Sequence, residues 1–450
     1  MTVLLFILGV LFVALGVAVS IALHEVGHLV PAKLFKVRVP QYMIGFGPTI
    51  WSRRRGETEY GFKALPLGGF VSMIGMYPPA RDGEEVRQTS TGMFQQLAND
   101  ARRASAEQLQ PGDENRMFYK LPVWKRVVIM LGGPAMNLLI GTVLIGVLIT
   151  GFGTLQSTTT VSEVYRCVVP LDQQEQRSGT GDGCRAGDPQ APAYAAGLRP
   201  GDVITSFNGQ RLGEADWQVL TEMIRAEAGH EVAVTYLRDG TEHATTITPL
   251  LTERPQLDIN GNPVATADGT MATVQAGFIG MGAEARLIRQ PVTEVPAMVW
   301  ENVTHVAAIV LDLPARLVAV GQAAFSDAPR DPDGPVSVVG VGRIAGEVSA
   351  MEDVPVENRA ATLVGLVAGL NIALFVFNLI PLLPLDGGHI AGALWEALRR
   401  GVARVFRRRD PGPVDIAKAL PLTYVVATLL LGMGVLLIYA DIVKPVNLFG

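Results

Sequence analysis

Long stretches without charge alternate with polar segments along the chain. Four of them occupy Val3–Leu23, Val127–Phe152, Ala360–Leu385 and Ala419–Ala440. A helix needs roughly 20 apolar residues to cross the hydrocarbon core of a bilayer, so the pattern predicts four transmembrane helices. No Lys or Arg precedes the first run, which favours a retained span over a cleaved signal peptide.

Shorter apolar runs follow the first span and alternate with polar residues, as strands do. The runs Met43–Trp51 and Tyr60–Met73 flank the polar turn Ser52–Glu59. The segment 40–75 is therefore predicted to form a hairpin or small sheet. It is apolar for a loop, so we expect it to re-enter the membrane, where such backbone must be buried in protein or line a cavity. The polar segment 81–120 predicts cytosolic helix and loop.

The region between the second and third spans has two parts. From Thr158 to Ala285 short strands surround one helix near Trp217–Ala228, which predicts a small mixed α/β domain with a polar loop insertion at 170–192. From Pro291 to Phe325 the pattern becomes helical and amphipathic. This segment lies either on the membrane surface or against the small domain.

Composition supports a membrane protein, and charge sets its orientation. Hydrophobic residues make up 49% and charged residues 18% of the chain, and the net charge is only −5 without a basic stripe, which argues against nucleic-acid binding. Basic residues concentrate in 27–126 and after the third span, whereas 153–359 contains no lysine. The positive-inside rule therefore places the basic loops in the cytoplasm, and both termini and the small domain outside.

Both cysteines, Cys167 and Cys184, fall in the region predicted to lie outside. An extracytoplasmic compartment permits disulfides. We therefore predict a Cys167–Cys184 bridge, with two free thiols as the alternative.

The motif His-Glu-Val-Gly-His, residues 24–28, ends the first span. Two histidines spaced i, i+4 leave one helix face, and zinc in a catalytic site takes three protein ligands and keeps an open position for water. Glu25 can take a proton from that water. Ionisable groups at the end of a span are costly and indicate function, so His24 and His28 are predicted zinc ligands.

The predicted topology narrows the choice of a third ligand. The first and third spans run in the same direction, so their C-terminal ends meet the same side. Asp386 is the first acidic residue after the third run and is the predicted third ligand. His389 is the alternative, or a partner that supports a ligand. The remaining histidines are predicted to lie outside, on the other side of the membrane: His230, His243 and His305.

The chain around these ligands carries proline, glycine and asparagine. Pro381 and Pro384 are predicted to unwind the end of the third span, and Gly387 and Gly388 to form a tight turn. Asn378 either holds a substrate carbonyl or oxyanion, or only satisfies backbone groups that the prolines free.

Two further expectations concern the first two spans. Pro31 should end the first helix soon after the motif. The small residues of Gly132–Asn137 should let the second span pack closely on the first and third, with Asn137 in packing rather than chemistry.

The chain resembles the site-2 protease family of intramembrane zinc proteases, and most closely its bacterial PDZ-containing branch, which includes regulator of sigma-E proteases. Five stretches carry the resemblance: HEVGH at His24–His28, GFG at Gly45–Gly47, AGLRPGDVI at Ala196–Ile204, GPVSVVGVGRIAG at Gly334–Gly346 and NLIPLLPLDGG at Asn378–Gly388.

The resemblance implies zinc bound by His24, His28 and Asp386, with Glu25 as the catalytic acid and base. Gly68, Gly69 and Asn378 are predicted to contact substrate. The expected fold is a polytopic α-helical membrane protein with four transmembrane helices, a membrane-reentrant β-hairpin or sheet and an extracytoplasmic mixed α/β PDZ-like domain. The predicted divisions are 1–157, 158–290 for the PDZ-like domain, 291–359 and 360–450.

The implied activity is cleavage within or near the transmembrane segments of single-span proteins in the bacterial inner membrane. Anti-sigma factors and remnant signal peptides are the expected substrates, in contact with lipid, and the PDZ-like domain is expected to contact a substrate ectodomain or C-terminus. Three alternatives are a metal transporter or scaffold, an inactive peptide-binding adaptor, and an anchored protease for soluble proteins. Glu25 argues against a transporter, which needs ligands but no general base.

Overall fold

The computed structural model describes residues 2–76, 109–113, 115–173, 183–257, 271–326, 330, 334–352 and 354–445. Most of the segment 81–120 and part of the 170–192 loop lie outside these residues. The chain divides into two compact units, one comprising Met1–Gly151 with Pro291–Gly450 and the other Phe152–Gln290.

The helices and strands of the described residues are numbered in chain order. The helices are α1 (Thr2–Leu34), α2 (Val123–Val147), α3 (Pro192–Ala195), α4 (Trp217–Ala226), α5 (Val295–Leu311), α6 (Leu313–Phe325), α7 (Val338–Ala350), α8 (Val356–Asn378), α9 (Asp386–Val405) and α10 (Leu420–Val443). The strands are β1 (Gln41–Arg55), β2 (Thr58–Ser72), β3 (Thr154–Val164), β4 (Val203–Phe207), β5 (Gln210–Arg211), β6 (Val232–Arg238), β7 (Thr241–Ile247), β8 (Leu250–Pro255), β9 (Thr273–Phe278) and β10 (Met281–Ile288).

Among the described residues, four single helices are long and apolar enough to cross a membrane: α1, α2 with its extension to Phe152, α8 and α10. They correspond to the four uncharged runs, as the prediction of four spans expects, and the bent pair α5–α6 would be a fifth candidate if it formed one span. Glycines let α1 and α2 approach closely, because a Cβ added at Gly27 would lie 2.2 Å from the carbonyl oxygen of Gly132. A buried hydrogen bond of 2.9 Å from Asn371 of α8 to Ser20 joins the third span to the first.

Pro31 does not end α1, and that prediction is wrong. The helix continues to Leu34, and the amide of Phe35 still donates to the Pro31 carbonyl at 2.9 Å. A proline lacks only the bond to the residue four positions earlier, here Gly27. The Pro31 ring faces α2, where a Cβ added at Gly132 would lie 3.3 Å from its Cγ.

The third span is shorter than its uncharged run. The helix α8 ends at Asn378, before Pro381 and Pro384, and irregular turns lead to Asp386, the first residue of α9. Gly387 lies in the first turn of α9 rather than in a tight turn, which corrects the prediction. A Cβ added at Gly387 would lie 2.3 Å from the Ile380 carbonyl oxygen, so the reason for glycine is close backbone packing.

The predicted sheet after the first span forms from β1 and β2. Gln41–Ile44 pairs both with Gly69–Ser72 and with residues 59–62, so this part of β1 has neighbours on two sides. The rest of β1 pairs with β2 toward the turn, where Arg55 faces Thr58. Tyr42 anchors the sheet to the first span by donating to the Ala22 carbonyl at 2.8 Å.

The amphipathic segment after residue 291 forms α5 and α6, which meet at an angle of 67°. The apolar face of α5 packs on the spans: Val295 lies in one cluster with Ile145 and Ile149 of the second span and Ile372 of α8. The apolar face of α5 therefore packs on helices of its own unit.

The Phe152–Gln290 unit is a mixed α/β fold. Its main sheet has the order β10-β3-β4-β6-β7, with β5 paired to β4, and β8 and β9 form a separate ladder. Apolar residues of α4 and the sheet, Leu220, Ile204 and Phe207 among them, form its core. The predicted Cys167–Cys184 disulfide is present.

Candidate metal centre

His24 and His28 present their Nε2 atoms side by side in the C-terminal part of α1. Those two atoms lie 3.2 Å apart, as the i, i+4 spacing requires. Oδ2 of Asp386 lies 3.3 Å from each of them. The three side chains form a group with one ligand atom each, all within 4.8 Å of one another. Helix α1 and the start of α9 thus converge on one point.

The two imidazoles are oriented by α2. Nδ1 of the buried His28 donates to the carbonyl oxygen of Ile129 at 2.8 Å, which leaves Nε2 with a free lone pair. The side-chain amide of Asn137 lies 3.1 Å from Nδ1 of His24. Its oxygen has no hydrogen-bond partner among the described residues. Turning the amide over lets that oxygen accept from His24 Nδ1 and satisfies both groups, since the two amide orientations have the same shape.

The donor set suits zinc. Oδ2 of Asp386 is buried and makes no hydrogen bond within the described part of the chain, although two histidine nitrogens face it. A buried carboxylate oxygen without a donor is costly unless a cation neutralises it. Two imidazole nitrogens and one carboxylate oxygen are a common catalytic zinc set that leaves a position open.

Glycine makes room for the ligands on the α2 side. A Cβ added at Gly133 would lie 2.3 Å from Nε2 of His28 and 2.7 Å from Nε2 of His24. Both distances are far below ordinary van der Waals contact. The backbone of α2 therefore forms one wall of the site, and any side chain at this position would displace the ligand nitrogens.

Glu25 faces the β-sheet. The residue is buried, with an exposed fraction of 9%, and it is not part of the three-residue ligand group. A Cβ added at Gly69 of β2 would lie 2.9 Å from Cγ of Glu25. The strand backbone thus passes directly beside this carboxylate.

Comparison with known proteins agrees with this geometry. The model of peptidase family M50 matches residues 12–408. The chain belongs to peptidase family M50. Zinc metalloprotease Rip1 of Mycobacterium tuberculosis strain H37Rv is 32% identical over 449 residues, which cover 99% of this chain and 100% of that protein. Metalloprotease MmpA of Caulobacter vibrioides is 26% identical over 410 residues, 88% of each chain.

The resemblance to site-2 proteases is confirmed by this family membership. The chain is a zinc metalloprotease of the M50 family, and Zn²⁺ is its cofactor. Its apolar helices make it a membrane protein.

The other residues predicted from sequence are placed as follows. Asn378 is the half-buried last residue of α8, at the start of the turns that lead to Asp386. Gly68 has a φ of +117°, and a Cβ there would meet the Phe46 ring at 2.6 Å, so it packs within the sheet. His389 follows Asp386 by three residues and is not in the ligand group of this M50 protease.

The three histidines that the sequence placed outside are not members of the described metal group. His230 is exposed beside Glu227, and His243 stacks on Tyr236, both in the Phe152–Gln290 unit. His305 belongs to α5. The described metal group includes none of them.

Sequence reasoning missed two supports of the centre. Asn137 was expected to pack, yet its amide contacts His24; a polar residue inside an uncharged run was the available signal. Arg126 at the start of α2 makes two hydrogen bonds, of 3.0 and 2.5 Å, to Glu396 of α9, and both side chains are buried. This ion pair holds α9, the helix that begins with Asp386, against α2. No local sequence pattern predicts the pair.

Proposed function

We propose that this M50 protease hydrolyses peptide bonds within or next to the transmembrane segments of single-span membrane proteins, of the kind represented by anti-sigma factors and remnant signal peptides. The observation that carries the proposal is the position of the His24, His28 and Asp386 group, within the C-terminal part of a membrane-length helix and beside a second one, α2. A soluble substrate would not require the site there.

His24 and His28 would hold zinc through Nε2, and Asp386 would hold it through a carboxylate oxygen. When bound, zinc lowers the pKa of a coordinated water and polarises the scissile carbonyl. The bonds from His28 Nδ1 to Ile129 and between His24 and Asn137 hold each imidazole in the tautomer that keeps Nε2 unprotonated. These contacts support the assignment of Nε2 as the ligand atom on both residues.

Glu25 acts as general base and then as general acid. Its carboxylate takes the proton of the attacking water and delivers it to the leaving amide nitrogen when the peptide bond breaks. The residue follows His24 directly but stays outside the ligand group, which leaves its oxygens available for proton transfer. Its burial excludes bulk water from the carboxylate.

The substrate adds a strand beside Gly69. Among the described residues, Gly69–Ser72 pairs only with Gln41–Ile44, so its other side can receive an extended peptide. The absence of a side chain at Gly69 brings that strand within reach of Glu25. Gly68 gives the strand its left-handed backbone at this point. Asn378, at the end of α8, orients the substrate carbonyl.

The charge pattern orients the chain in the bacterial inner membrane. The metal centre faces the cytoplasmic side, and both termini and the Phe152–Gln290 unit lie outside. We assign the β1–β2 sheet as membrane-reentrant because it exposes large apolar side chains at Phe46, Ile50 and Trp51, before the polar turn that follows them. The Phe152–Gln290 unit is a PDZ-like module that docks a trimmed substrate ectodomain or C-terminus.

The test is co-expression of the protease with a library of tagged single-span membrane proteins. Wild-type cells are compared with cells that carry Glu25→Gln, and new termini are mapped by mass spectrometry. The expected result is a set of proteins cut inside or beside their membrane segments only by the wild type, with uncut forms accumulating in the variant. Cleavage confined to soluble loops, or equal cleavage by both enzymes, would overturn the proposal.

A further inference from the structure

Helix α9 has an apolar face that no described residue covers. Its exposed side chains form what we name the α9 stripe, which consists of Leu394, Trp395, Leu398, Val402, Val405 and Phe406. Their spacing of four and seven residues places them on one helix face. The opposite face is packed, with Ala393, Glu396 and Ala403 buried. The helix is therefore held to the protein on one side and presents an apolar surface on the other.

This stripe belongs to a helix that does not cross the membrane. With 20 residues α9 is long enough to do so, but it is not among the candidate spans. Arg399, Arg400 and Arg404 lie along it, and charged groups at the bilayer centre are costly. An exposed apolar face on a charged helix is typical of a helix that lies along the membrane surface.

The depth of α9 relative to the membrane follows from the residues around its partner on α2, Arg126. Trp124, at the start of the second span, is 58% exposed, and its ring meets Phe35 at 5.4 Å and Lys125 at 5.5 Å. Exposed tryptophan beside lysine at the end of a span marks the boundary between lipid and water. Arg126, two residues later, binds Glu396. The middle of α9 is thus tied to the protein at the level of that boundary.

The arginines of this region divide into two groups. Arg400 pairs with Glu396 at 3.1 Å and with Asp410 at 3.4 Å. By contrast, no carboxylate in the described part of the chain lies within ion-pair distance of Arg404 or of the exposed run Arg407–Arg409. Four cations without acidic partners therefore stand at the end of the apolar stripe.

We propose that the α9 stripe inserts among lipid acyl chains and that Arg404 and Arg407–Arg409 bind anionic phospholipid headgroups. Basic amphipathic helices bind anionic bilayers by this combination of apolar burial and charge attraction. The site lies on the helix whose first residue is Asp386, so lipid and metal contact one rigid element. The inference stands apart from the proposed function, because it requires neither a membrane substrate nor hydrolysis.

The experiment uses the full-length protein in nanodiscs of phosphatidylcholine, with or without phosphatidylglycerol. Cys167 and Cys184 are joined in a disulfide and are the only cysteines, so a cysteine introduced at Leu398 can be labelled selectively with a nitroxide. A label introduced at Ala397, which is exposed on α9 away from the stripe, is the control. Accessibility to oxygen and to a water-soluble relaxant gives the ratio of lipid-embedded to water-exposed label.

We expect the Leu398 label to be embedded and the Ala397 label to remain in water. Phosphatidylglycerol should raise the embedded ratio at 398. Since one basic residue near an anionic surface contributes about fivefold, Arg404→Gln should lower that gain about fivefold. Replacing Arg404 and Arg407–Arg409 together should abolish it. Arg211→Gln, at an exposed position of the other unit, should have no effect.

Three results would overturn the inference. One is a label at 398 as exposed to water as that at 397 in both kinds of disc. Another is an embedded ratio that does not respond to phosphatidylglycerol. A third is shielding at 398 that grows with the number of protein copies per disc, which would make a second copy the occupant of the stripe. The accessibility measurements do not depend on proteolysis, so they give the same result for an inactive enzyme.

Discussion

The two halves of the metal centre are built at different ranges along the chain. His24, Glu25 and His28 belong to one helix, and the i, i+4 spacing alone brings both imidazoles to one side. Asp386 comes from the start of α9, after irregular turns, and its place depends on close backbone packing at Gly387 and on the buried pair Arg126–Glu396. The first half needs only a helix to form, whereas the second needs the tertiary structure.

Removal of the distant carboxylate is expected to have the largest effect. Asp386→Ala leaves two imidazoles, too few protein ligands for a stable catalytic zinc site. The purified variant should lose its zinc, measured by plasma mass spectrometry, together with all proteolysis. His243→Ala, in a histidine outside the group, should keep both. Full zinc retention by Asp386→Ala would show that the α9 half does not supply a ligand.

A methyl group at Gly133 of α2, which lies against the ligand nitrogens, should disturb the whole metal centre. In Gly133→Ala the new Cβ would lie 2.3 Å from Nε2 of His28, so the ligand nitrogens must shift. Zinc affinity, measured by competition with a chelator, should fall by about 100-fold, the upper range for disturbed ligand support. Gly369→Ala, on α8 where nothing lies within 4 Å of the new atom, is the matched control. Equal zinc affinities for the two variants would show that Gly133 does not need to be small for the ligand nitrogens to keep their places.

Breaking the buried ion pair between Arg126 and Glu396 should lower the stability of the folded protein, because this pair holds α9. Arg126→Gln leaves the buried Glu396 with Arg400 as a cationic partner, so the loss should approach, without exceeding, the roughly 3–5 kcal/mol typical of breaking a buried pair. Thermal unfolding in detergent should detect this loss. Arg286→Gln breaks an exposed pair with Glu284, and such pairs are worth about 1 kcal/mol or less. Comparable shifts in the two variants would show that Arg126 does not hold α9.

Loss of Asn137, which contacts His24 of α1, should have the smallest of these effects. Asn137→Ala removes the partner of His24 Nδ1, and loss of such a partner lowers metal affinity by about 10–100-fold. Asn302→Ala, which removes an amide bonded to the Met298 carbonyl on α5, should leave zinc affinity unchanged. An unchanged affinity in Asn137→Ala would remove this residue from the metal centre.

The sequence predicted the parts that depend on local patterns. Four uncharged runs became four helices, the alternating segment became the β1–β2 sheet, and HEVGH became a pair of adjacent imidazoles. Two predictions that rested on individual prolines or glycines were wrong. Pro31 was expected to stop α1, but its ring packs on Gly132 and the helix goes on. The turn at Gly387 and Gly388 was also wrong, because helix packing rather than positive φ requires glycine there.

The remaining features could not be read from one sequence, because they are contacts between distant residues. Asn137 meets His24 across 113 positions, and Arg126 meets Glu396 across 270. A polar residue in an apolar run signals that some partner exists but not which one. The end of α8 at Asn378, by contrast, agrees with the predicted unwinding at Pro381 and Pro384, although the uncharged run itself continues to Leu385.

The most direct test of the account measures zinc and cleavage on one sample of purified Glu25→Gln. The substitution keeps the size of the side chain and leaves His24, His28 and Asp386 intact. The account predicts about one zinc per chain, as in the wild type, with a cleavage rate lower by at least about 10²–10⁴-fold, the usual contribution of general acid–base catalysis. Zinc at the wild-type level with cleavage at the wild-type rate would contradict the role of Glu25, and with it the proposed mechanism.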